Sequence, residues 1–410
     1  MAWTRTARRR LAAGSTAAAS AALLCAATLP AHAAPPEGRV LGAGASGAVS
    51  SSYIVTFKQG TRGIDARSKA GKRLAAKYGA TIRRTYRKAI NGYAIRANAT
   101  QARRLAADPS VAAVSQNRTV KLTDTVKAPG ALQKNPPSWG LDRIDQKTLP
   151  LNKSYVMPPG GGAGVSVYVL DTGVRTTHKD FGGRVRSGWD FVDDDKDALD
   201  ANGHGTHVAA TIAGEKYGVA KKADIVSVRV LDAEGSGTTD NVIAGIDWVA
   251  QHAKGKPSVA NLSLGTMASP QLDQAVQSAI EKAGVTFTVA AGNNRLPADL
   301  YSPGRVAEAV TVGATDNDDT RAEFSNWGPG VDLFAPGVGI TSAWSSNDTA
   351  EKALSGTSMA APHAAGAAAL YVARHPKATP AEVGKALVAG ASSGQVKSAL
   401  GSPNRLLRVG

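Results

Sequence analysis

From Trp139 onward the chain alternates short β-branched runs with longer amphipathic ones, and that alternation constrains its fold more than any other feature. Gly164 to Leu170 (GVSVYVL), Ile225 to Val230 (IVSVRV), Ala260 to Leu264 and Val285 to Ala291 read as strands. Thr239 to Ala253, Pro270 to Ala283, the Ala-rich Thr357 to His375 and Pro380 to Gly390 read as helices. Strands separated by helical patterns need crossover connections, which give a parallel sheet covered on both faces. The expected fold is α/β, a doubly wound parallel sheet in three layers, α/β/α. Ligands of such sheets gather outside the carboxyl ends of the strands, so chemistry is sought there.

The first third has a different texture. Tyr53 to Phe57 alternates as a half-buried strand, followed by a helical Arg67 to Tyr78 and a strand at Gly92 to Arg96. Gln101 to Ala107 is helical and Val111 to Val114 strand-like, so the order β-α-β-α-β describes a small α+β unit. The Gly/Ala/Ser-rich Gly38 to Ser52 is expected to be flexible. Thr123 to Ser138, with Pro129, Pro136 and Pro137, reads as an extended connector. Ahead of all this, Arg5, Arg8, Arg9 and Arg10 precede an Ala/Leu-rich stretch that ends in Ala31-His32-Ala33. That is the pattern of a secretory signal cut near Ala33/Ala34. The only cysteine, Cys25, lies inside it, and Leu24 before it removes a lipoprotein reading. A mature chain would then hold no thiol, which excludes a disulfide framework and a cysteine-rich zinc site.

The net charge of +16 invites a nucleic-acid reading until it is located. Residues 34–131 hold 18 Lys/Arg against four acids, whereas residues 132–410 hold 26 against 28. The excess sits outside the large α/β segment, so basicity says little about what that segment binds.

Three glycine-punctuated segments stand at strand ends or helix starts. Val169-Leu170-Asp171-Thr172-Gly173 ends a buried strand on a carboxylate, which by itself reads equally well as a turn cap. Asn202-Gly203-His204-Gly205-Thr206-His207 sets His204 between two glycines at the start of an apolar helix. A zinc pair of His204 and His207 fails, because that helix pattern needs His at i and i+4 with an intervening Glu. Ser355-Gly356-Thr357-Ser358-Met359-Ala360 presents Ser358 at a helix entrance, where an N-cap serine would also sit. An α/β-hydrolase elbow is excluded, since residue 360 is Ala and the order Ser-acid-His is absent. Together, Asp171, His204 and Ser358 follow the chain order of the subtilisin type of triad.

On these segments, and on Trp139-Gly140-Leu141-Asp142-Arg143-Ile144-Asp145, Ala290-Ala291-Gly292-Asn293, Phe324-Ser325-Asn326 and Ser402-Pro403-Asn404-Arg405-Leu406-Leu407, the chain resembles the subtilisin-like serine proteases of the proteinase K and aqualysin branch. Residues 53–121 resemble the inhibitor-type propeptide of that family, a small ferredoxin-like α+β fold. The resemblance implies a secreted, self-processing serine endopeptidase. Asp171, His204 and Ser358 would form its triad, and Asn293, otherwise readable as a turn residue, would be an oxyanion donor. A substrate peptide would lie as an added strand against Gly235, Ser236 and Gly237 on one side and Ser263, Leu264 and Gly265 on the other. Ala290, Ala291 and Gly292 would line an uncharged pocket suited to apolar or aromatic residues before the scissile bond.

The same resemblance implies no cofactor for catalysis but structural calcium. One site would use Ala307, Ala309 and Asp332, the other Asp142, Asp145, Gln146, Asn152 and Ser154, although surface turns bearing acids remain an alternative. Asp193-Asp194-Asp195 and Asp316 to Asp319 are expected to be solvated loops. The family's cysteine positions hold Ala201, Ala233 and Gly330, and Val208 replaces the thiol that follows the second histidine in proteinase K. The expected organisation is signal peptide 1–33, propeptide 34–131 and peptidase domain 132–410, with maturation near Ala131/Leu132. The partners would be protein and peptide substrates and the chain's own propeptide, as chaperone and inhibitor. Nucleic acid and, after signal cleavage, membrane are not among them, and the enzyme would be a monomer. A catalytically impaired binding protein or a polyanion-binding protein are the readings left beside it.

Overall fold

The strand Ser166–Asp171 shows how the large unit is layered: Val167 and Val169 enter one core while Tyr168 and Leu170 enter another. Side chains of a strand alternate between faces, so a run buried on both sides must lie in the middle of a covered sheet. The computed structural model describes residues 36–60, 64–122 and 138–409. The expected signal segment, nearly all of the connector and the expected boundary at Ala131/Leu132 lie outside the described residues.

Among the described residues the main sheet has nine strands. In spatial order they are Ser392–Ser393, Arg405–Leu406, Leu333–Pro336, Val310–Thr315, Thr286–Ala290, Ser258–Leu262, Ser166–Asp171, Asp224–Arg229 and Val185–Asp190. Every neighbouring pair is parallel except the antiparallel pair at Ser392–Ser393. Helices His204–Ala213 and Thr357–Arg374 close one face; Thr239–His252 and Pro270–Ala283 close the other. This is the expected three-layer α/β/α arrangement. The strands Val185–Asp190, Val310–Thr315 and Leu333–Pro336 were not legible as such. The first lies at the sheet's edge and is only partly buried, Gly313 interrupts the β-branched run of the second, and the third (LFAP) is four residues long, has no β-branched residue and ends in proline.

The small unit is an antiparallel sheet in the order Val111–Leu122, Ala48–Phe57, Gly92–Arg96, Thr81–Thr85. Helices Lys69–Lys77 and Ala99–Ala106 cover one face, burying Tyr53, Val55, Tyr93, Ile95, Leu74, Leu105 and Val114. Ser68 caps the first helix, and a reciprocal Asn98–Gln101 capping box starts the second. Two expectations need correction. The Gly38 to Ser52 stretch is not a loose tether: Val40–Leu41 pairs with Val114 and Ser115, and the long strand already begins at Ala48. An extra strand, Thr81–Thr85 (TIRRT), hid behind its two arginines, which an outermost strand can carry.

The uncovered face of this sheet packs against the large unit, where Ile54, Ala94 and Val120 share a core with Val242, Ile246 and Val249 of helix Thr239–His252. Polar contacts fix the orientation. The Asp247 carboxylate, nearly buried, accepts the backbone amides of Arg87 (3.0 Å), Lys88 and Ala89 (2.6 Å). Asn117 exchanges hydrogen bonds with Asp240 at the start of the same helix. Among the described residues the excess positive charge contributes one ion pair across this contact, Arg84 with Asp194 at 3.9 Å.

The expectation that Asp316 to Asp319 form a solvated loop fails at its last residue. Asp319 is buried and takes the wholly buried guanidinium of Arg143 in a two-pronged contact of 2.6 and 2.9 Å. Arg143 also donates to the carbonyl of Gln146 at 2.9 Å. A buried charge needs such full partnering. The polar run around Asp319 conceals it, because its partner lies far away in sequence.

Candidate active site

Asp171 is the last residue of a central strand, His204 the first of helix His204–Ala213, and Ser358 the second of helix Thr357–Arg374. All three are essentially inaccessible. The His204 Nδ1 lies 2.8 Å from Asp171 Oδ1, which also accepts the Thr172 amide at 2.8 Å. With Nδ1 so engaged, the other ring nitrogen, His204 Nε2, is buried and has no hydrogen-bond partner among the described residues. The Ser358 hydroxyl donates to the Ser263 carbonyl at 3.1 Å.

Glycines make this approach possible. A Cβ at Gly205 would lie 2.0 Å from the Gly173 carbonyl oxygen, so a side chain there would push the His204 helix off the Asp171 turn. Asp200, which the sequence did not single out, locks the same turn. Its carboxylate accepts from Thr172 Oγ1 (2.8 Å), Gly203 N (2.7 Å), Thr206 N (2.9 Å) and Thr206 Oγ1 (2.6 Å). Its distance from His204 in the chain, small as it is, carries no motif that separates it from an ordinary loop acid.

At Ser358 the helix begins with a defect. Pro362 has no amide hydrogen, so the Ser358 carbonyl lacks its usual partner four residues on. The Ser263 hydroxyl supplies that bond at 2.9 Å, which ties the serine helix to the strand end beside it. Asn293 is fixed through its amide oxygen, which accepts Thr357 N (2.9 Å) and Thr357 Oγ1 (2.8 Å). Its Nδ2 lies beside Gly356, where a Cβ would come within 3.1 Å of it. Asn326 steadies the loop from behind, donating to the Ala291 carbonyl (2.9 Å) and accepting the Asn294 amide (2.9 Å). Thr357 and Asn326 are positioning residues whose partners only the fold brings together.

The other two histidines near the site are structural. His207 Nε2 faces the carbonyls of Ile340 (2.9 Å) and Lys352 (3.1 Å), and burial pushes its pKa down to about 3. His363 lies against the Met359 carbonyl at 2.8 Å, with its pKa lowered by burial to about 4.

The cleft beside Ser358 is filled by the strand Val111–Leu122 of the small unit. It pairs antiparallel with Ser236–Thr238 (Lys121↔Ser236, Val120↔Gly237) and with Leu264–Met267 (Leu122↔Leu264, Lys121↔Gly265). The Leu122 amide also donates to the Gly235 carbonyl at 3.0 Å. A Cβ on Gly235 would collide with Leu122 at 2.6 Å, so the small residues expected here do admit a neighbouring chain. Five of the six expected binding positions, Gly235 to Gly237, Leu264 and Gly265, pair with this strand or hydrogen-bond to it, while Ser263 contacts Ser358. Next to it, Ala290, Ala291 and Gly292 line a 160 Å³ cavity with Gly265, Asn293 and Tyr301; Lys121 of the inserted strand is the charged group on its wall.

The residues expected to hold calcium also come together. Ala307, Ala309 and Asp332 line one cavity of 860 Å³, where burial raises the Asp332 pKa to about 6. In the second group Asp142 accepts the amides of Asn152 (3.1 Å) and Lys153 (2.7 Å), and Asn152 accepts that of Ser154 (2.9 Å). There the oxygens Asp145 Oδ1 and Gln146 Oε1 are buried without a hydrogen-bond partner. Two orphaned buried oxygens in an all-oxygen set fit a hard cation such as calcium.

Comparison with known proteins agrees with this geometry. Residues 162–409 match the subtilase family model and residues 52–123 the peptidase inhibitor I9 model. An extracellular serine proteinase from a Thermus species is 45% identical over 93% of this chain and 95% of its own length. Alkaline serine exoprotease A of Vibrio alginolyticus is 47% identical over 88% of this chain and 67% of its own. A cold-adapted subtilisin-like serine proteinase of known crystal structure superposes with a TM-score of 0.64 at 55% identity, covering 66% of this chain and 97% of that one. The chain belongs to the subtilase family of serine proteases, with an I9 propeptide ahead of its peptidase domain.

Proposed function

We propose that the protein is a secreted, self-processing endopeptidase whose Asp171-His204-Ser358 triad hydrolyses peptide bonds through an acyl-enzyme. The observation that carries this reading is the His204–Asp171 contact of 2.8 Å, which engages Nδ1 and leaves Nε2 as the ring nitrogen not committed to a hydrogen bond among the described residues. His204 Nε2 takes the serine proton as the hydroxyl attacks the carbonyl, then returns it to the leaving amine. Asp171 holds the tautomer in which Nδ1 bears hydrogen and stabilises the imidazolium. Asn293 Nδ2 and the Ser358 amide receive the oxyanion. Losing one such donor costs about 3–4 kcal/mol of transition-state stabilisation, as known for subtilisins. Asn293→Ala is expected to lower kcat some 10²–10³-fold with little change in KM. Steady-state hydrolysis of a short chromogenic peptide tests it, and a loss of only a few-fold removes Asn293 from the role.

The bound propeptide strand supports β-augmentation as the mode of substrate recognition. It also supports the propeptide as inhibitor, since a peptide cannot enter while Val111–Leu122 occupies both edges. The uncharged walls contributed by Ala290, Ala291 and Gly292 favour apolar or aromatic residues before the scissile bond. Export rests on the signal-like N-terminus and on the names of the extracellular relatives; among the described residues no helix is long and apolar enough to cross a membrane.

Calcium would be held by Asp142, Asp145, Gln146, Asn152 and Ser154, and by Asp332 with the carbonyls of Ala307 and Ala309. Its contribution is to fold stability, with no part in bond cleavage. Removing it with a chelator is expected to lower the melting temperature of the mature enzyme by roughly 5–10 °C. Calorimetry with and without chelator measures this, and an unchanged melting temperature eliminates both sites.

A further inference from the structure

Most of the small unit's positive charge plays no part in its docking. Its described residues hold sixteen Lys/Arg against three acids. Each acid is taken by a cation of the same unit: Asp65 by Arg67 (2.8 Å), Glu37 by Arg103 (2.6 Å) and Asp108 by Lys77 (3.3 Å). With Arg84 on Asp194, twelve cations are left without an ion pair among the described residues. The contact with the large unit runs instead through Ile54, Ala94 and Val120, through Asn117 and through backbone amides on Asp247.

Part of this surplus is gathered on the two helices, which cover the face of the small sheet turned away from the large unit. Lys69, Lys72 and Arg73 of Lys69–Lys77 are exposed there, as is Arg104 of Ala99–Ala106. The arrangement works against the helices that carry it. Arg73 follows Lys69 by four residues and Lys72 follows it by three, so like charges meet on one side of a short helix. Neither helix has an acid in its first turn, where one would favour the helix dipole. Charge that costs local stability and holds no neighbour suits an anion from outside the chain.

The same surface narrows the kind of anion. Among the described residues the exposed large apolar side chains all belong to the large unit, so the helical layer has none to insert into a bilayer. Tyr53, Phe57, Tyr86 and Tyr93 are buried, and the half-buried Tyr78 has the Lys77 ammonium over its ring, 4.8 Å from the centroid. No ring is free for a base to stack on. Recognition is left to charge alone, by cations about 5–6 Å apart along a helix. A linear phosphate chain is dense enough in charge to meet several of them at once.

We propose that the helical layer of the propeptide, through Lys69, Lys72, Arg73 and Arg104, binds a linear phosphate polymer and holds the precursor on it. Residues 132–410, with 26 Lys/Arg against 28 acids, carry no such surplus. Loss of the propeptide therefore frees the enzyme from the polymer. That consequence rests on the peptidase reading; the binding itself does not.

The test uses the full-length Ser358→Ala precursor, the processed wild type and inorganic polyphosphate as the probe, with binding read by titration calorimetry. The precursor is expected to bind about 50-fold more weakly at roughly 200 mM salt than at roughly 50 mM, the loss that four phosphate contacts give. The processed enzyme is expected to bind about 100-fold more weakly than the precursor at the lower salt. In the precursor, Lys69→Gln/Lys72→Gln/Arg73→Gln is expected to cost about ten-fold in affinity, and Arg104→Gln alone, on the other helix, about two-fold. Lys58→Gln/Arg87→Gln/Lys88→Gln removes the same charge from a cavity shared with Lys282 of the large unit, and is expected to cost at most about two-fold. Relief of repulsion leaves the helix variant no less stable, which its melting curve shows. A precursor that does not bind polyphosphate at low salt, or equal losses in the two triple variants, overturns the proposal. Phosphatidylserine vesicles that compete as well as polyphosphate overturn the choice of partner. A wild type that never processes itself overturns the peptidase reading, while the precursor titrations still decide the binding.

Discussion

A Ser358→Ala protein is expected to lose on the order of 10⁶ in turnover, the loss known for subtilisin nucleophiles, and to accumulate with its propeptide still covalently attached. Both effects have one cause. The same hydroxyl serves substrate and propeptide, because Val111–Leu122 lies between the very strands, Ser236–Thr238 and Leu264–Met267, that would receive a substrate. The substitution removes one oxygen at a buried position whose backbone is held independently, by the Ser263 hydroxyl at 2.9 Å. The variant should therefore fold and be seen as an uncut precursor on denaturing gels. Normal processing of Ser358→Ala would mean that another group, or another enzyme, cuts the chain.

Asp171→Asn carries the next largest effect, about 10⁴ in kcat. Asp171 Oδ1 accepts both the Thr172 amide and, at 2.8 Å, His204 Nδ1. Both donors meet that one oxygen, so an asparagine keeps both bonds only with its own oxygen in the Oδ1 place, and then without the negative charge that stabilises the imidazolium. If the NH₂ faces His204, Nδ1 must become an acceptor, the proton moves to Nε2, and the base toward Ser358 is lost. Little destabilisation is expected, since the change is isosteric, so a melting curve beside the kinetic measurement separates chemistry from folding. An activity loss below ten-fold would show that the imidazole does not depend on this carboxylate.

These two predictions rest on residues that the sequence made visible, and the reason is local. Asp171, His204 and Ser358 each sit in a short segment whose glycines are required by close backbone approach, as at Gly205 against the Gly173 carbonyl. Such requirements leave a mark on neighbouring residues. The parallel sheet was legible for the same reason: its central strands are buried on both faces and must be apolar throughout. The groups that hold the site were not visible, because their partners are distant. Asp200 is one more acid in a loop, Thr357 gains meaning only against Asn293, and Asp319 looked solvated until Arg143 was found buried against it. Edge strands escaped as well. Thr81–Thr85 and Val185–Asp190 each present a face that need not be apolar, so no periodicity marks them. Most informative was the length of the strand that ends at Leu122. Its first residues read as a strand, but its continuation, SQNRTVKL, is polar: Ser115 to Arg118 are held by Ala48–Phe57 of the same unit, and Thr119 to Leu122 by two edges of the large unit.

The central claim, that Ser358 is a nucleophile activated by His204, is tested most directly with a serine-directed fluorophosphonate. The secreted protein is incubated with the reagent, and its intact mass and labelled peptide are read. A single adduct on the peptide containing Ser358, in a species that has shed its propeptide, is the result the account predicts. Fully processed protein that remains unlabelled would contradict it, because a cleft freed of Val111–Leu122 offers the reagent nothing to compete with.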